Sequence, residues 1–324
     1  MGGGGSAAGA AGVMPSDART ATLPSAAVFL VRRRRGGAAW LAAAFLAPTL
    51  ASLAVFTYWP LLLSVVGSAE RWSLSATRQA WVGWDNYAAL LRDELFRQVV
   101  GNTAVYVAVE VPLAVLVGLL AAVAVNGSGR LRLVARALIF HPVLLPTVAV
   151  AAIWLFLLNP VSGPVADLVA RVSGAAPNVL GGPWSALLTV AMVAAYKNCG
   201  LYMLFFLAGL QSIPPELEDS ARVEGATEWR VFRHVTWPLL GPVAFYVLIT
   251  AVLDGLRNVD HIFVLTRGGP ANATNVLLYE TYLEAFEFWE VGRASALTVM
   301  LVAVLLAFAV LAMPRLERGV HYEA

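Results

Sequence analysis

The sequence predicts an all-α membrane protein with about six transmembrane helices. The 324-residue chain is 59% hydrophobic and only 13% charged, with a mean hydropathy of +0.73. Soluble domains average about 45–50% apolar and about 25% charged residues, so this composition is typical of a bilayer protein. Apolar windows of roughly 18–25 residues are long enough to cross a bilayer. We place such windows at 38–58, 103–125, 138–157, 186–210, 239–256 and 294–313.

The first 36 residues are predicted to form a disordered cytoplasmic tail. They begin with a low-complexity run of glycine and alanine and end in four arginines at 32–35. A secretory signal carries its charges before its apolar core, whereas these arginines follow a short apolar run. Directly before a span, they indicate topology and contact with anionic lipid rather than with nucleic acid. We therefore expect a tail at 1–36, a transmembrane domain at 37–314 and a second cytoplasmic tail at 315–324.

The distribution of basic residues predicts the orientation. With the amino terminus inside, thirteen arginines are cytoplasmic and seven are external, and the inverted topology reverses that bias. The positive-inside rule therefore favours a multi-pass protein of the plasma membrane with both termini in the cytoplasm. It also places the polar loop at 211–238 on the cytoplasmic side.

Cysteine chemistry contributes little to the prediction. Cys199 is the single cysteine of the chain and lies inside an apolar window. It cannot form an internal disulfide and belongs to no cluster of metal-ligand residues. We expect a small packing residue there, and neither a metal nor a cofactor.

Ionisable residues inside the apolar windows mark a candidate solute path. An unpaired charge at mid-bilayer costs about 2.5–3.5 kcal/mol on insertion scales, so Glu110 is expected to face protein or water. Lys197 interrupts the fourth window, where it either neutralises a carboxylate or meets a solute hydroxyl or phosphate. A dense polar set ends the fifth window, and an internal salt bridge from Asp254 to Arg257 at i, i+3 explains much of it. The polar residues that we select as path candidates are Lys197, Asn198, Tyr202, Asn258 and Asp260.

The long polar interval between the fourth and fifth windows is predicted to be a helix, a bend and a second short helix. Pro215 fits the first turn of a helix, and Glu216 complements the positive end of its dipole. Gly225 ends this first helix. In the second, Trp229, Phe232 and Val235 form an apolar stripe.

This loop resembles the cytoplasmic loop of binding-protein-dependent ABC importer permeases. That family has Glu-Ala-Ala, three residues, Gly, nine residues, then Ile-x-Leu-Pro. In this chain the corresponding residues are Asp219-Ser220-Ala221, Gly225 and Val235-Thr236-Trp237-Pro238. The spacing of the motif is kept, and several residue types differ. The resemblance implies a coupling helix that docks on a cytoplasmic ATPase. It assigns that role to Glu216, Asp219, Ala221, Gly225 and Pro238.

Further landmarks are similar to those of the carbohydrate permeases of that family. They are the segments 82–87, 101–103, 206–214, 266–270, 292–297 and the tail at 317–322, which resembles glycerol-phosphate-type members. The resemblance implies the type I importer fold. It also implies a second homologous permease, two ATPase subunits and an external solute-binding protein as partners. A sugar, glycerol-3-phosphate or a glycerophosphodiester is the solute that it suggests.

Two other classes of function compete with this interpretation. The sequence has no G-x-S-x-G, H-E-x-x-H or Walker phosphate-binding motif, so we predict no enzyme and expect ATP hydrolysis in a separate subunit. An ion-coupled secondary transporter acting as a single subunit is the stronger competitor, because such carriers also use intramembrane ionisable residues. It does not explain the spacing of the loop.

Overall fold

The computed structural model describes Gly2 and residues 35–73, 79–174 and 178–319. Most of the predicted tail at 1–36 and the last residues of the tail at 315–324 lie outside these ranges. The chain divides into two compact units, Met1–Phe56 and Thr57–Ala324. The first contains helix α1, Arg35–Leu53, and the start of a π-helical turn, Ala54–Tyr58, that continues into the second unit.

The second unit is built almost entirely from helices. A two-residue antiparallel ribbon pairs β1 with β2 near its start. In chain order its elements are α2 Trp59–Gly67, β1 Glu70–Arg71, β2 Ala80–Trp81, α3 Asp85–Arg92, α4 Glu94–Val125, α5 Arg130–Leu144, α6 Thr147–Leu157, α7 Pro164–Ser173, α8 Pro183–Ser212, α9 Pro215–Val223, α10 Glu228–Val231, α11 Trp237–Arg257, α12 Asp260–Leu265, α13 Leu277–Tyr282 and α14 Val291–Gly319. Two further π-helical turns occur at Phe232–Thr236 and Leu283–Glu287.

Five helical stretches among the described residues are long and apolar enough to cross a membrane. They are Ala43–Gly67, Glu94–Val125, Pro183–Ser212, Glu228–Arg257 and Val291–Ala312. A sixth span is present if α5 and α6 are counted together. The prediction of an all-α protein with about six spans is therefore confirmed.

The third predicted span, at 138–157, is not a continuous helix. Helices α5 and α6 meet at a bend of 102°. Leu145 is extended there, with φ −83° and ψ 144°. Because the proline ring disfavours the α conformation in the residue before it, Pro146 ends α5 and begins α6. The sequence predicts one span over 138–157, and this bend corrects the expectation of a single helix.

Close packing between α4 and α8 forms the centre of the second unit. A side chain at Gly118 would meet Cβ of Tyr202 at 2.9 Å and the Cys199 carbonyl at 3.0 Å. Without that side chain, the two helices approach closely enough to bury Tyr202, Met203 and Phe206 completely. Small residues allow this kind of approach between membrane helices.

Two segments with family-like sequence contact each other on the side of the protein where α4 begins. Asn102 donates hydrogen bonds from Nδ2 to the carbonyls of Asn272 (2.7 Å) and Asn275 (3.0 Å). The Thr103 hydroxyl accepts a hydrogen bond from the Leu277 amide at 2.9 Å. The segment at 101–103 therefore anchors the loop that follows the Gly-Gly-Pro sequence at 268–270.

Candidate functional site

The loop at 211–238, which we call the coupling segment, begins with an exposed helix. Pro215 lies in the first turn of α9, and Glu216 and Glu218 follow it in that turn. Both positions match the prediction, since proline needs no amide partner there and carboxylates complement the helix dipole. None of the residues of α9 is buried in the described structure. The helix is therefore free to contact another molecule.

Gly225 ends α9 in the conformation that only glycine adopts without strain. Its φ is +85°. The Ala226 amide donates to the Ala221 carbonyl at 3.0 Å, and the Gly225 amide donates to the Arg222 carbonyl at 3.0 Å. These two bonds form a Schellman motif. Ala221 and Gly225, which the resemblance assigned to the coupling helix, thus both take part in the motif that ends α9.

The predicted second short helix is instead the start of the fifth span. Helix α10 continues through the π-helical turn into α11, and Glu228–Arg257 forms one stretch of 30 residues. Pro238 is the second residue of α11 and directly follows the π-helical turn, so its missing N–H falls where the helix geometry changes. Val231 and Thr236 are the buried residues of this stretch, whereas Phe232 and Val235 of the predicted stripe are half-buried and Trp229 is 67% exposed. The π-helical turn shifts the register of the buried face.

An ion cluster centred on Arg222 joins α9 to the start of α10. Its guanidinium lies 2.9 Å from Asp219, 3.3 Å from Glu218 and 2.9 Å from Glu228. Glu218 also accepts a hydrogen bond from the Thr236 hydroxyl at 2.8 Å. These carboxylates raise the pKa of Arg222 above its ordinary value. The cluster fixes the angle between the two helices of the coupling segment.

Sequence reasoning did not assign Arg222, Glu228 or Thr236 to this site. The spacings 218 to 222 (i, i+4) and 219 to 222 (i, i+3) were available as a signal on one helix face. The contact with Glu228 depends on the turn at Gly225. Only the structure shows it.

A second polar group lies inside the helix bundle around Glu110. This carboxylate is fully buried, and its Oε1 accepts a hydrogen bond from Asn198 Nδ2 at 3.0 Å. Its Oε2 and the buried Tyr202 hydroxyl have no hydrogen-bond partner among the described residues. A Cβ at Gly255 would come within 3.0 Å of Oε2, so α11 passes close to the carboxylate. Asn198 and Tyr202, two predicted path residues, lie four residues apart on α8, and Asn198 contacts Glu110 directly.

The other path candidates make no contact with Glu110 that the structure describes. Lys197 is half-buried and forms no ion pair with any described residue. Asn258 is half-buried at the break between α11 and α12, and Asp260 is exposed in the first turn of α12.

The predicted salt bridge from Asp254 to Arg257 is not formed in the described structure. Helix α11 ends at Arg257, which is exposed, and Asn258 is extended at φ −104° and ψ 109°. Helical spacing therefore does not apply from Arg257 onward. His261 lies instead 3.0 Å from the Tyr106 hydroxyl, with the two rings stacked.

The helices, the coupling segment and the buried polar group together define a membrane transport permease. The chain belongs to the family of binding-protein-dependent transport system inner membrane components, whose model matches residues 114–322. It is thus a permease subunit of an ABC importer and a multi-pass protein of the inner membrane.

Similar proteins include two permeases named for sn-glycerol-3-phosphate transport. The UgpA protein of Brucella abortus is 32% identical over 278 residues, covering 86% of this chain and 94% of that protein. UgpA of Rhizobium meliloti is 30% identical over 277 residues, with coverages of 85% and 94%. A bacterial alginate ABC transporter with its periplasmic protein contains a chain of the same fold, with a TM-score of 0.76 and 21% identity over 85% of this chain and 93% of that one. These matches favour the ABC importer over an ion-coupled single-subunit carrier.

Proposed function

We propose that the chain forms half of the translocation path of an ATP-driven importer for a carbohydrate-class solute. Its partners are a second homologous permease, two ATPase subunits that hydrolyse ATP, and an external solute-binding protein. The observation that carries this proposal is the exposed coupling segment, a helix closed by Gly225 and held at a fixed angle to the fifth span by Arg222.

In this proposal both termini and the coupling segment lie in the cytoplasm. The thirteen to seven distribution of arginines supports this orientation. The boundaries are a tail at 1–36, the permease domain at 37–314 and a tail at 315–324. The surface arginines of the tails and inner loops contact anionic membrane lipid.

Closure of the ATPase dimer would move the coupling segment as a rigid lever. Glu216 and Asp219 are exposed on α9 and are available to the ATPase surface. Ala221 and Gly225 form the end of α9, and Pro238 lies in the span that receives the motion. Because Glu228–Arg257 is continuous, movement of α10 reaches the buried polar group without an intervening flexible joint.

The solute that we propose is a sugar, glycerol-3-phosphate or a glycerophosphodiester. The names of the Brucella and Rhizobium relatives support the glycerol-3-phosphate class. Chemically, the path candidates Lys197, Asn198, Tyr202, Asn258 and Asp260 offer one cation, one anion, a hydroxyl and two amides. Hydroxyl groups and a phosphate can both be bound by such a set.

Replacing Lys197 by methionine tests the path. The lysine forms no ion pair with the described residues, so its loss should disturb packing little, and we expect the KM for uptake to change by about tenfold, the value of one charge-assisted hydrogen bond. Tyr196→Phe is the control, since it removes an exposed hydroxyl from the neighbouring position. Uptake kinetics that are the same in K197M and the native protein would remove Lys197 from the path.

Reconstitution separates the importer from an ion-coupled carrier. The assembled complex in sealed vesicles should accumulate solute only with ATP on the coupling-segment side and the binding protein on the other. The chain reconstituted alone should show no accumulation under proton or sodium gradients. Gradient-driven accumulation by the single chain would refute the proposed function.

A further inference from the structure

A cleft between the end of α4 and the coupling segment is a second candidate binding site. Its volume is about 590 Å³, within the range of about 300–1,000 Å³ typical of small-molecule sites. One wall is a row of apolar side chains from α4, which includes Leu116, Leu120 and Val123, and the opposite wall contains Trp229 and Phe232. Their rings stack with centroids 5.9 Å apart. The cleft is therefore shaped for an apolar chain.

The α4 wall belongs to a membrane span, and its exposed residues indicate what enters the cleft. Leu120 is 59% exposed, and it lies within six residues of the end of α4. At that depth a bilayer supplies acyl chains, and tryptophan rings such as that of Trp229 favour the boundary with the headgroups. A lipid of the adjacent leaflet thus reaches the cleft without leaving the membrane.

The polar end of the cleft is negatively charged. Glu218, Arg222 and Glu228 line it, and Asp219 joins them through Arg222. Three carboxylates around one guanidinium leave a formal charge of −2, so the cluster lacks a second cation. A primary ammonium supplies that charge and three N–H donors for the carboxylate oxygens.

A phospholipid with a primary ammonium also carries a phosphate, and a cation near the cleft suits that phosphate. Arg233 follows Trp229 by four residues, is exposed, and forms no ion pair with any residue that the structure describes. Residues four apart lie on one side of a helical stretch. A zwitterionic headgroup with an ammonium and a phosphate therefore matches both charges.

We propose that this cleft binds an amino phospholipid of the cytoplasmic leaflet, with one acyl chain along α4 and its ammonium on Glu218 and Glu228. The assignment to that leaflet rests on the proposed orientation, whereas lipid binding itself does not depend on transport. Because the same carboxylates hold Arg222, a bound lipid stiffens the joint between α9 and α10. The site thus links lipid composition to the coupling segment.

Native mass spectrometry of the purified complex, with the subunits that accompany it, tests the proposal. Phosphatidylethanolamine and phosphatidylcholine with identical acyl chains are added in steps. We expect at least about tenfold stronger retention of phosphatidylethanolamine, because a quaternary ammonium has no N–H donors for the carboxylates. Equal retention of the two lipids by the native complex would overturn the proposal without any variant.

Variants locate the site. Leu120→Trp fills the cleft and should remove the preferentially retained lipid, while Val117→Trp adds the same bulk to α4 at a 40% exposed position outside the cleft and should keep it. Glu228→Gln should reduce the preference for phosphatidylethanolamine. Unchanged lipid retention in L120W would show that the cleft is not the lipid site. The same conclusion would follow if L120W kept the lipid but lost one of the accompanying subunits. A failed import assay with lipid retention intact would count against the proposed function and not against this site.

Discussion

Replacing Gly225 by valine is expected to abolish import and solute-stimulated ATP hydrolysis while leaving the protein inserted in the membrane. Gly225 has φ +85°, and no atom lies within 4 Å of the position that a Cβ would take. The change therefore acts through backbone strain and not through overlap. A β-branched residue in this conformation costs about 1–3 kcal/mol, which the chain avoids by unwinding the end of α9.

The loss of function follows from what the Schellman motif holds. If Gly225 leaves its conformation, the Ala221 carbonyl loses its partner, and the link from Arg222 to Glu228 crosses a turn with a different geometry. A strain of about 1–3 kcal/mol shifts the equilibrium between docked and undocked geometries by roughly five- to hundredfold. Uptake by the reconstituted complex and ATP hydrolysis with and without loaded binding protein measure the effect.

Gly174 provides a matched control for this variant. It follows helix α7 with φ +81°, and a Cβ there would also meet nothing within 4 Å. Gly174→Val therefore introduces the same strain far along the chain from the coupling segment and should leave import near the native level. Gly225→Asn should be milder than Gly225→Val, since asparagine tolerates the left-handed region. Equal losses in G225V and G174V would contradict the coupling role, as would normal uptake in G225V.

The coupling segment was predictable where its signals are local. Pro215, the carboxylates of the first turn and Gly225 each act within one helical turn, and the structure places all of them as expected. The spans were predictable for a similar reason, because a long apolar stretch has few alternatives to a helix in a bilayer. Local chemistry thus gave the helix ends and the number of spans.

What sequence reasoning missed depends on contacts between distant residues or on a change in helix geometry. The bend at Leu145 and Pro146 required knowing that this proline is not tolerated inside a continuous helix. Tyr106 lies 155 positions from its partner His261. Arg257 is exposed as the last residue of α11, and its i, i+3 spacing from Asp254 produces no ion pair in the described structure. In each case the deciding quantity is where a helix stops relative to its neighbours.

The buried group around Glu110 is energetically costly as it stands. Two fully buried polar atoms without partners among the described residues, Glu110 Oε2 and the Tyr202 hydroxyl, each cost about 1–3 kcal/mol. Water that enters between α4, α8 and α11 would remove that cost. The packing of these three helices is therefore less favourable than its buried apolar area alone indicates.

Replacing Arg293 by methionine is expected to lower the stability of the protein by about 2–3 kcal/mol, between the cost of breaking an exposed ion pair and that of a fully buried one, because Arg293 and Asp93 are 30% and 26% exposed. Arg293, near the start of α14, pairs with Asp93 at the start of α4, and its Nε lies 2.5 Å from Oε1 of Glu284. The Glu284 side chain is only 7% exposed. Burial raises the pKa of Glu284 to about 7, and the hydrogen bond from Arg293 lowers the pKa of Asp93. Methionine leaves both carboxylates without their cation.

The pH dependence of this loss has a definite sign. With Arg293 gone, Glu284 is costly only when ionised, so R293M should be less destabilised at pH 6 than at pH 8, and the added change Glu284→Gln should restore part of the stability at pH 8. Cys199 is buried, so thermal unfolding in detergent can be followed by a thiol-reactive fluorophore. Arg171→Met is the control, since its pair with Asp167 is 75% and 64% exposed and should contribute at most about 1 kcal/mol. An R293M protein that unfolds at the same temperature as R171M, at both pH values, would show that the link between α14 and α4 does not stabilise the bundle.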